Sequence, residues 1–410
     1  MSATSNATPK TERLPLEGVR VIELTHMVMG PTCGMILGDL GAEVIKIEPI
    51  KGDGTRRLLG AGAGFFRTFN RNKKSVALDV HETAGLDALL KLIDTADVFI
   101  ENFKPGRMAE LGLDYAALRL RNPKLIYVSH KGFLSGPYEK RLALDEVVQM
   151  MAGLAYMTGP SGRPLRAGSS VNDIMGGMFG AIGVLAALHE RNSSLSGKEV
   201  QSALFENCVL LSAQHMQQFA VTGKAAATMP ERISAWGIYD VFELAQQEQM
   251  FIAATGDGQW KTLCEVIGRL DLLADPRLAT NNDRVLARGW LIDELRATLV
   301  RMDGAVLARQ FEDLAIPFAA ITRPEQLFDD PHLLASGGLA QLELEDGSST
   351  AMPLLPISLD GNRLQPRRPI PKIGEHTHDV MHALGYTDAQ IADLAAHGVL
   401  KLDEPTSQAT

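Results

Sequence analysis

Two stretches of the chain carry side chains whose types and spacing could do chemistry. The first is FFRTFNRNKKS at 65–75, where Arg67, Arg71, Lys73 and Lys74 stand with no acid among them, interleaved with Phe66 and Phe69. Cations beside an aromatic ring suit a phosphate clamp next to a stacked base. The same composition also describes a solvated turn before a strand. The second stretch is RPLRAGSSVNDIMGGMFGAIGVLAALHERN at 163–192, in which Asp173 stands immediately before an apolar helical run studded with Gly176, Gly177, Gly180 and Gly183. Glycine in a helix interior costs about 0.5–1 kcal/mol relative to alanine, so four of them need either a closely packed backbone or a bulky ligand against the helix. Asp173 reads as an N-cap or as a carboxylate nucleophile. The two readings are compatible, because the positive end of a helix favours the anion. Arg141, Arg163 and Arg166 bracket the approach to Asp173. An arginine fork holds a carboxylate or a similar planar oxyanion, and it equally serves phosphates or surface acids.

The elements that must position these groups follow from periodicity. Short apolar runs at 19–24, 43–47, 76–80, 98–102 and 125–130 alternate with helical patterns, among them 30–41, a helix through 93, and 107–120. That alternation predicts an α/β fold with a mostly parallel sheet covered by helices. A long helix is expected from Asp173 to about Glu190. The composition then predicts a large Rossmann-like domain from 1–222 and 335–410, a small α/β domain at 237–330, linkers at 223–236 and 331–350, and a closing helix near 377–386. Polar ends at 1–14 and 403–410 read as frayed tails. If the loops after successive strands gather at one edge, Arg56, Arg57, Lys104 and Arg107 join the basic patch.

Composition narrows the chemistry. The chain has 410 residues and a net charge of −9, which argues against nucleic acid as the main partner and leaves any anionic ligand to a local basic rim. The three cysteines, Cys33, Cys208 and Cys264, are too far apart for a knuckle or a disulfide framework, which suits a reducing cytosol. The apolar run 174–188 is shorter than the ~20 residues that a bilayer needs, so no membrane span and no export signal are expected. A dinucleotide reading would place Glu48 on a ribose, but the turn THMVMGPTCG lacks the G-x-G-x-x-G spacing. His376 and His378 lack a third ligand and read as surface or capping groups, so no metal is expected.

Several segments in order closely resemble family III CoA transferases, the formyl-CoA transferase group also called CaiB/BaiF. They are LEGVRVIELTHMVMGPTCGMILGDLGAEVIKIEPIKGDGTR, NRNKKSVALDV, ADVFIENFKPG, NPKLIYVSHKGF, VNDIMGGMFGAIGVLAAL, DPRLATNNDRV and IGEHTHDVMHALGY. The resemblance implies Asp173 as nucleophile and a double displacement through an aspartyl anhydride and an aspartyl-CoA thioester. An Asp of ordinary pKa, about 3.9, needs no activating base for this. It further implies CoA contacts from His26, Met27, Val28 and Met29, from Arg71 and Lys73, and from Asn102, Phe103, Lys104 and Arg107. No permanently bound cofactor is implied, since CoA thioesters enter as substrates, and the chain is expected as an interlocked homodimer. Val28 stands where formyl-CoA transferase has glutamine, and Leu144 where it has tyrosine.

The same family holds α-methylacyl-CoA racemases, which add a histidine where this chain has Leu144 before Asp145, with His130 the nearest substitute. Deprotonating and reprotonating an α-carbon needs two opposed groups, so racemase ranks second. A non-catalytic CoA-binding protein on the same fold is the alternative of another class. Arg141 and Arg166 point to succinyl-CoA as donor and a small dicarboxylic or sulfinic acid as acceptor.

Overall fold

The computed structural model describes residues 13–232 and 234–403, so the tails expected at 1–14 and 403–410 fall almost wholly outside the described residues. The chain divides into two compact units, one formed by 1–225 with 332–410 and the other by 226–331.

In the larger unit β1 (Arg20–Leu24), β2 (Glu43–Glu48), β3 (Lys73–Leu78), β4 (Val98–Glu101), β5 (Ile126–Lys131) and β6 (Glu199–Ala203) form one sheet in the order β3-β2-β1-β4-β5-β6. Neighbours among these six are parallel. The strand Leu400–Lys401 lies antiparallel on the outer edge of β3, an addition that its two residues did not announce. Parallel strands are covered on both faces and therefore read as apolar runs. Accordingly Ile22, Ile45, Val76 and Phe99 pack against Leu89, Leu92 and Ile93 on one face, while Val21, Val44, Val98 and Val128 pack against Leu37, Ala181 and Val184 on the other. The strand order reverses between β1 and β4, and ligands of open α/β sheets bind in the crevice beyond the strand ends at such a point.

Three elements differ from the periodicity reading in ways that bear on the site. Strand β3 starts at Lys73 rather than at 76, which takes Lys73 out of the preceding turn and into the sheet. The helix expected over 107–120 is two, Arg107–Glu110 and Tyr115–Arg121, separated where Gly112 turns with φ +66°. The long helix is Val171–Ser194, so Asp173 lies inside its first turn and not at its cap. By length and composition that helix could cross a membrane, but its glycines admit protein. A Cβ on Gly177 would stand 2.6 Å from the Met29 carbonyl oxygen, one on Gly180 2.4 Å from His130 Cε1, and one on Gly183 2.4 Å from Val200 Cγ1. Close packing against the helix Met29–Asp39 and strands β5 and β6, not a ligand, explains them.

The smaller unit has an antiparallel sheet of β7 (Ile238–Glu243), β8 (Gln249–Ala254) and β9 (Phe318–Ala320). Its core gathers Phe242, Ile252, Trp260, Leu295 and Phe311. Back in the larger unit, His376 accepts the Ser75 N–H at 3.3 Å and His378 faces Asp388 at 3.2 Å. The helix expected near 377–386 is Thr377–Ala383, and a further helix, Asp388–Ala396, follows it.

Candidate functional site

A cavity of about 890 Å³ opens beyond the C-terminal ends of β1, β2 and β3 and against the turn that follows β4. His26, Met27, Phe103, Lys104 and Arg107 line it, together with Lys51 and His81, which the sequence reading missed because they are isolated cations with no motif around them. The loop after β1 is shaped by one left-handed residue and by side chains from elsewhere. Met27 sits at φ +63°, an uncommon conformation for a residue with a side chain. Its N–H is taken by Thr55 Oγ1 at 3.0 Å. Asn102 accepts the His26 N–H at 3.0 Å and donates to the His26 carbonyl at 2.8 Å, so it clamps the loop and does not itself line the cavity. The His26 ring leans on Phe103 with centroids 5.2 Å apart, and burial lowers its pKa below the ordinary value. Lys51, Lys104 and Arg107 bring cations to the cavity, Arg107 paired with Glu110 at 2.8 Å, while of the acids that also line it Glu48 and Asp53 are held by Arg56 and Lys46.

Besides Asn102, four of the expected contacts are placed away from the cavity lining. Val28 and Met29 are buried, Val28 beside Met35 and Phe69, and Met29 under Gly176 and Gly177 of the Asp173 helix. Residues 26–29 thus run from the cavity to the underside of that helix. Arg71 is buried and forked onto Asp39, with its closest approach at 2.7 Å. Lys73 is fully buried, with Nζ 2.8 Å from Glu23, 2.9 Å from the Pro31 carbonyl and 3.0 Å from Asn70 Oδ1. Burial pushes its pKa down to about 8. Both side chains are structural partners inside the unit, because β3 begins early enough to turn Lys73 toward β1. Phe66 lies under the Arg56 guanidinium at 3.7 Å and is buried, so it offers no free face for a base. Glu48, the ribose position of a dinucleotide fold, is bound by Arg56 at 2.7 Å and by Ser75 at 2.6 Å.

Asp173 lies at the same edge of the sheet, at the start of Val171–Ser194. The helix Asp145–Met151 supplies its cap: Asp145 Oδ2 accepts the backbone N–H of Asn172 at 2.8 Å and of Asp173 at 3.3 Å. The cap reading of Asp173 is corrected, since the helix starts at Val171 with Ser170 at the cap position and Asp145 takes the first-turn amides of Asn172 and Asp173. Among the described residues no hydrogen bond ends on the Asp173 carboxylate. Burial first, and the neighbouring Asp145 charge second, raise its pKa to about 7, with Arg166 pulling the other way. Asp173 is therefore not the ordinary, fully ionised aspartate that its helix-terminal position suggests. The sequence signal for Asp145 was the acid at the start of DEVVQ, legible only as a neighbour of Leu144.

Of the three arginines, Arg166 comes near enough to Asp173 to act on its charge, and it is paired with Glu146. Arg141 lies over the Tyr138 ring at 4.9 Å, and Arg163 is exposed in the turn before Arg166. His130 is buried against Gly180 with both ring nitrogens unpartnered, and burial drives its pKa down to about 3. Gly180 is two turns beyond Asp173, roughly 10 Å along the helix. His130 is not a second group facing an atom held at Asp173.

The sequence profile of CoA-transferase family III matches residues 16–377. A succinate–glutarate CoA-transferase of Agrobacterium fabrum is 33% identical over 383 residues, covering 90% of this chain and 96% of that protein. A succinyl-CoA:mesaconate CoA-transferase of Haloarcula hispanica is 31% identical over 389 residues, covering 90% and 96%. A CaiB/BaiF family crystal structure from Brucella suis superposes with a TM-score of 0.82 at 31% identity, covering 91% of this chain and all of that one. With the 3-2-1-4-5-6 sheet and the cavity at its reversal point, these likenesses establish that the chain is an enzyme of CoA-transferase family III.

Proposed function

We propose that the enzyme moves CoA from succinyl-CoA to a small dicarboxylic or sulfinic acid through covalent intermediates on Asp173. The observation that carries this reading is Asp173 itself, a carboxylate on which, among the described residues, no hydrogen bond ends and near which Arg166 is the cation that acts on its charge. The anion attacks the donor thioester carbonyl, expelling CoA thiolate and leaving an aspartyl–succinyl anhydride. The thiolate attacks the aspartyl carbonyl, releasing succinate and leaving an aspartyl-CoA thioester. The acceptor carboxylate attacks that thioester, and the returning thiolate then takes the acceptor acyl group and frees Asp173. Each anhydride is open to hydrolysis, so the site must exclude water while it forms. The raised pKa of Asp173 makes its anion more basic and thus a better nucleophile than an exposed aspartate.

Succinyl-CoA as donor is supported by the names of the relatives, and a diacid acceptor by Arg166 beside Asp173. CoA would lie in the cavity rimmed by Lys51, Lys104 and Arg107, with residues 26–29 leading toward Asp173. A racemase needs a second acid–base group, and the buried His130 and the exposed Leu144 supply none.

The test is Asp173→Ala and Asp173→Asn with succinyl-CoA and a panel of acids. Transfer should fall by at least a thousandfold while CoA thioester binding stays within a few-fold. Wild-type protein incubated with donor should carry CoA on Asp173, seen by mass spectrometry, or a hydroxamate there after hydroxylamine. Near-normal turnover by the Ala variant would sink the assignment.

A further inference from the structure

The segment between Arg166 and Asp173 has no regular structure before residue 171, and Gly168 within it has open space around it. Such a segment does not by itself fix the span between the two side chains. The helix Asp145–Met151 does. Its Asp145 holds the amides of Asn172 and Asp173, and its Glu146 holds the Arg166 guanidinium. One turn further on, the Gln149 amide oxygen accepts the Ala167 N–H at 2.8 Å while its amide nitrogen donates to Asp145 Oδ1 at 2.5 Å. The Ala167 carbonyl in turn accepts from Arg166 Nε at 3.0 Å. The peptide between Arg166 and Ala167 is thereby pinned to the carboxylate that caps the nucleophile's helix. Gln149 is fully buried and both ends of its amide are used, each by the only kind of partner it can take.

We propose that Gln149 is a positioning residue that sets the span from Arg166 to Asp173 and so selects the length of the dicarboxylate acceptor. The proposal rests on the reading above that Arg166 holds the acceptor's distal carboxylate. With one carboxylate on Arg166 and the other required at the Asp173 thioester, each methylene added or removed displaces the attacking oxygen. A misplacement of about 1 Å can cost on the order of a hundredfold in rate. A rigid span therefore favours one chain length, and a loosened span favours none.

The experiment measures kcat/KM for malonate, glutarate and adipate, and for butyrate as an acceptor without a distal carboxylate, at saturating succinyl-CoA. Wild type should favour one diacid over its neighbours. Gln149→Met, similar in length but unable to bond either partner, should reduce that preference about tenfold, with butyrate changed less than threefold. Gln149→Asn keeps an amide in the core but reaches at most one partner, so it should flatten the profile in the same direction and serves if the Met variant does not fold. An unchanged preference, or a uniform fall that includes butyrate, overturns the proposal. Arg166→Ala tests the underlying reading separately: it should erase the advantage of diacids over butyrate, and if it does not, Arg166 is not the acceptor's anchor. Absence of transfer to any acid by wild type would instead strike the proposed function.

Discussion

Asp145 takes the backbone N–H of Asp173 at 3.3 Å, so the nucleophile's helix starts on a carboxylate borrowed from another helix, while among the described residues no hydrogen bond ends on the nucleophile's own carboxylate. Two acids thereby share one helix terminus, and only one of them accepts its amides. An anion at a helix start ordinarily gains from the dipole. Here Asp145 accepts the helix-start amides, and its charge adds to burial in lifting Asp173 to about 7.

The pH dependence follows from that. The attacking species is the anion, so kcat should rise about tenfold per pH unit below 7 and level off above it. Asp145→Asn removes the like charge but keeps an oxygen for the amides, and the acid limb should move to lower pH. A limb that stays in place would show that Asp145 does not set the acidity of Asp173. Stability gives an independent reading. A carboxyl whose folded pKa is raised binds protons more tightly in the folded state, so stability is lost as pH rises from the unfolded value of about 3.9 to about 7. Asp173→Asn escapes that loss. In urea melts it should be more stable than wild type at pH 8, with the difference vanishing near pH 4.

Two lysines of similar appearance in the sequence should respond in opposite ways. Lys73 neutralises Glu23 inside the sheet, where Lys46 is the other cation at 3.5 Å. Removing one partner of a buried pair costs about 3–5 kcal/mol, so Lys73→Met should lower the denaturation midpoint sharply. Lys104 is exposed on the cavity rim. Lys104→Ala should leave stability within about 0.5 kcal/mol, raise KM for the CoA thioester roughly tenfold and weaken the salt dependence of that KM. A stable Lys73→Met protein with a selectively raised KM would return Lys73 to the ligand.

How far the sequence reads can be seen at these same residues. The parallel sheet was legible because strands covered on both faces are apolar throughout, and Asp173 because it precedes a glycine-rich helix inside a familiar order of motifs. The burial of Arg71 and Lys73 was not legible because a basic run looks solvated until its acids are found, and Asp39 and Glu23 lie far back in the chain, on the first helix and the first strand. The roles of Asp145, Gln149 and Asn102 were hidden for a related reason. Each acts on backbone groups remote in sequence, and hydrogen bonds to backbone leave no pattern of residue types. The glycines were read as ambiguous, and only the neighbours that a Cβ would meet decide between protein and ligand.

Association is the last consequence to be tested. The helix Val171–Ser194 exposes Met178, Ile182 and Leu185, one apolar stripe at i, i+4 and i+7, and the helix Leu204–Thr222 exposes Leu210, Leu211, Met216 and Phe219. Apolar patches of this extent mark interaction surfaces. Because the stripe lies on the helix that carries Asp173, we infer that a second copy of the chain covers it and that activity depends on the pairing. Sedimentation at micromolar concentration should give a dimer. Ile182→Glu combined with Phe219→Glu should yield a folded monomer by circular dichroism, with transferase activity down at least tenfold, since solvent then reaches the anhydride-forming site. A wild-type protein that sediments as a monomer and is fully active would refute the inference. A double variant that remains dimeric would place the contact elsewhere.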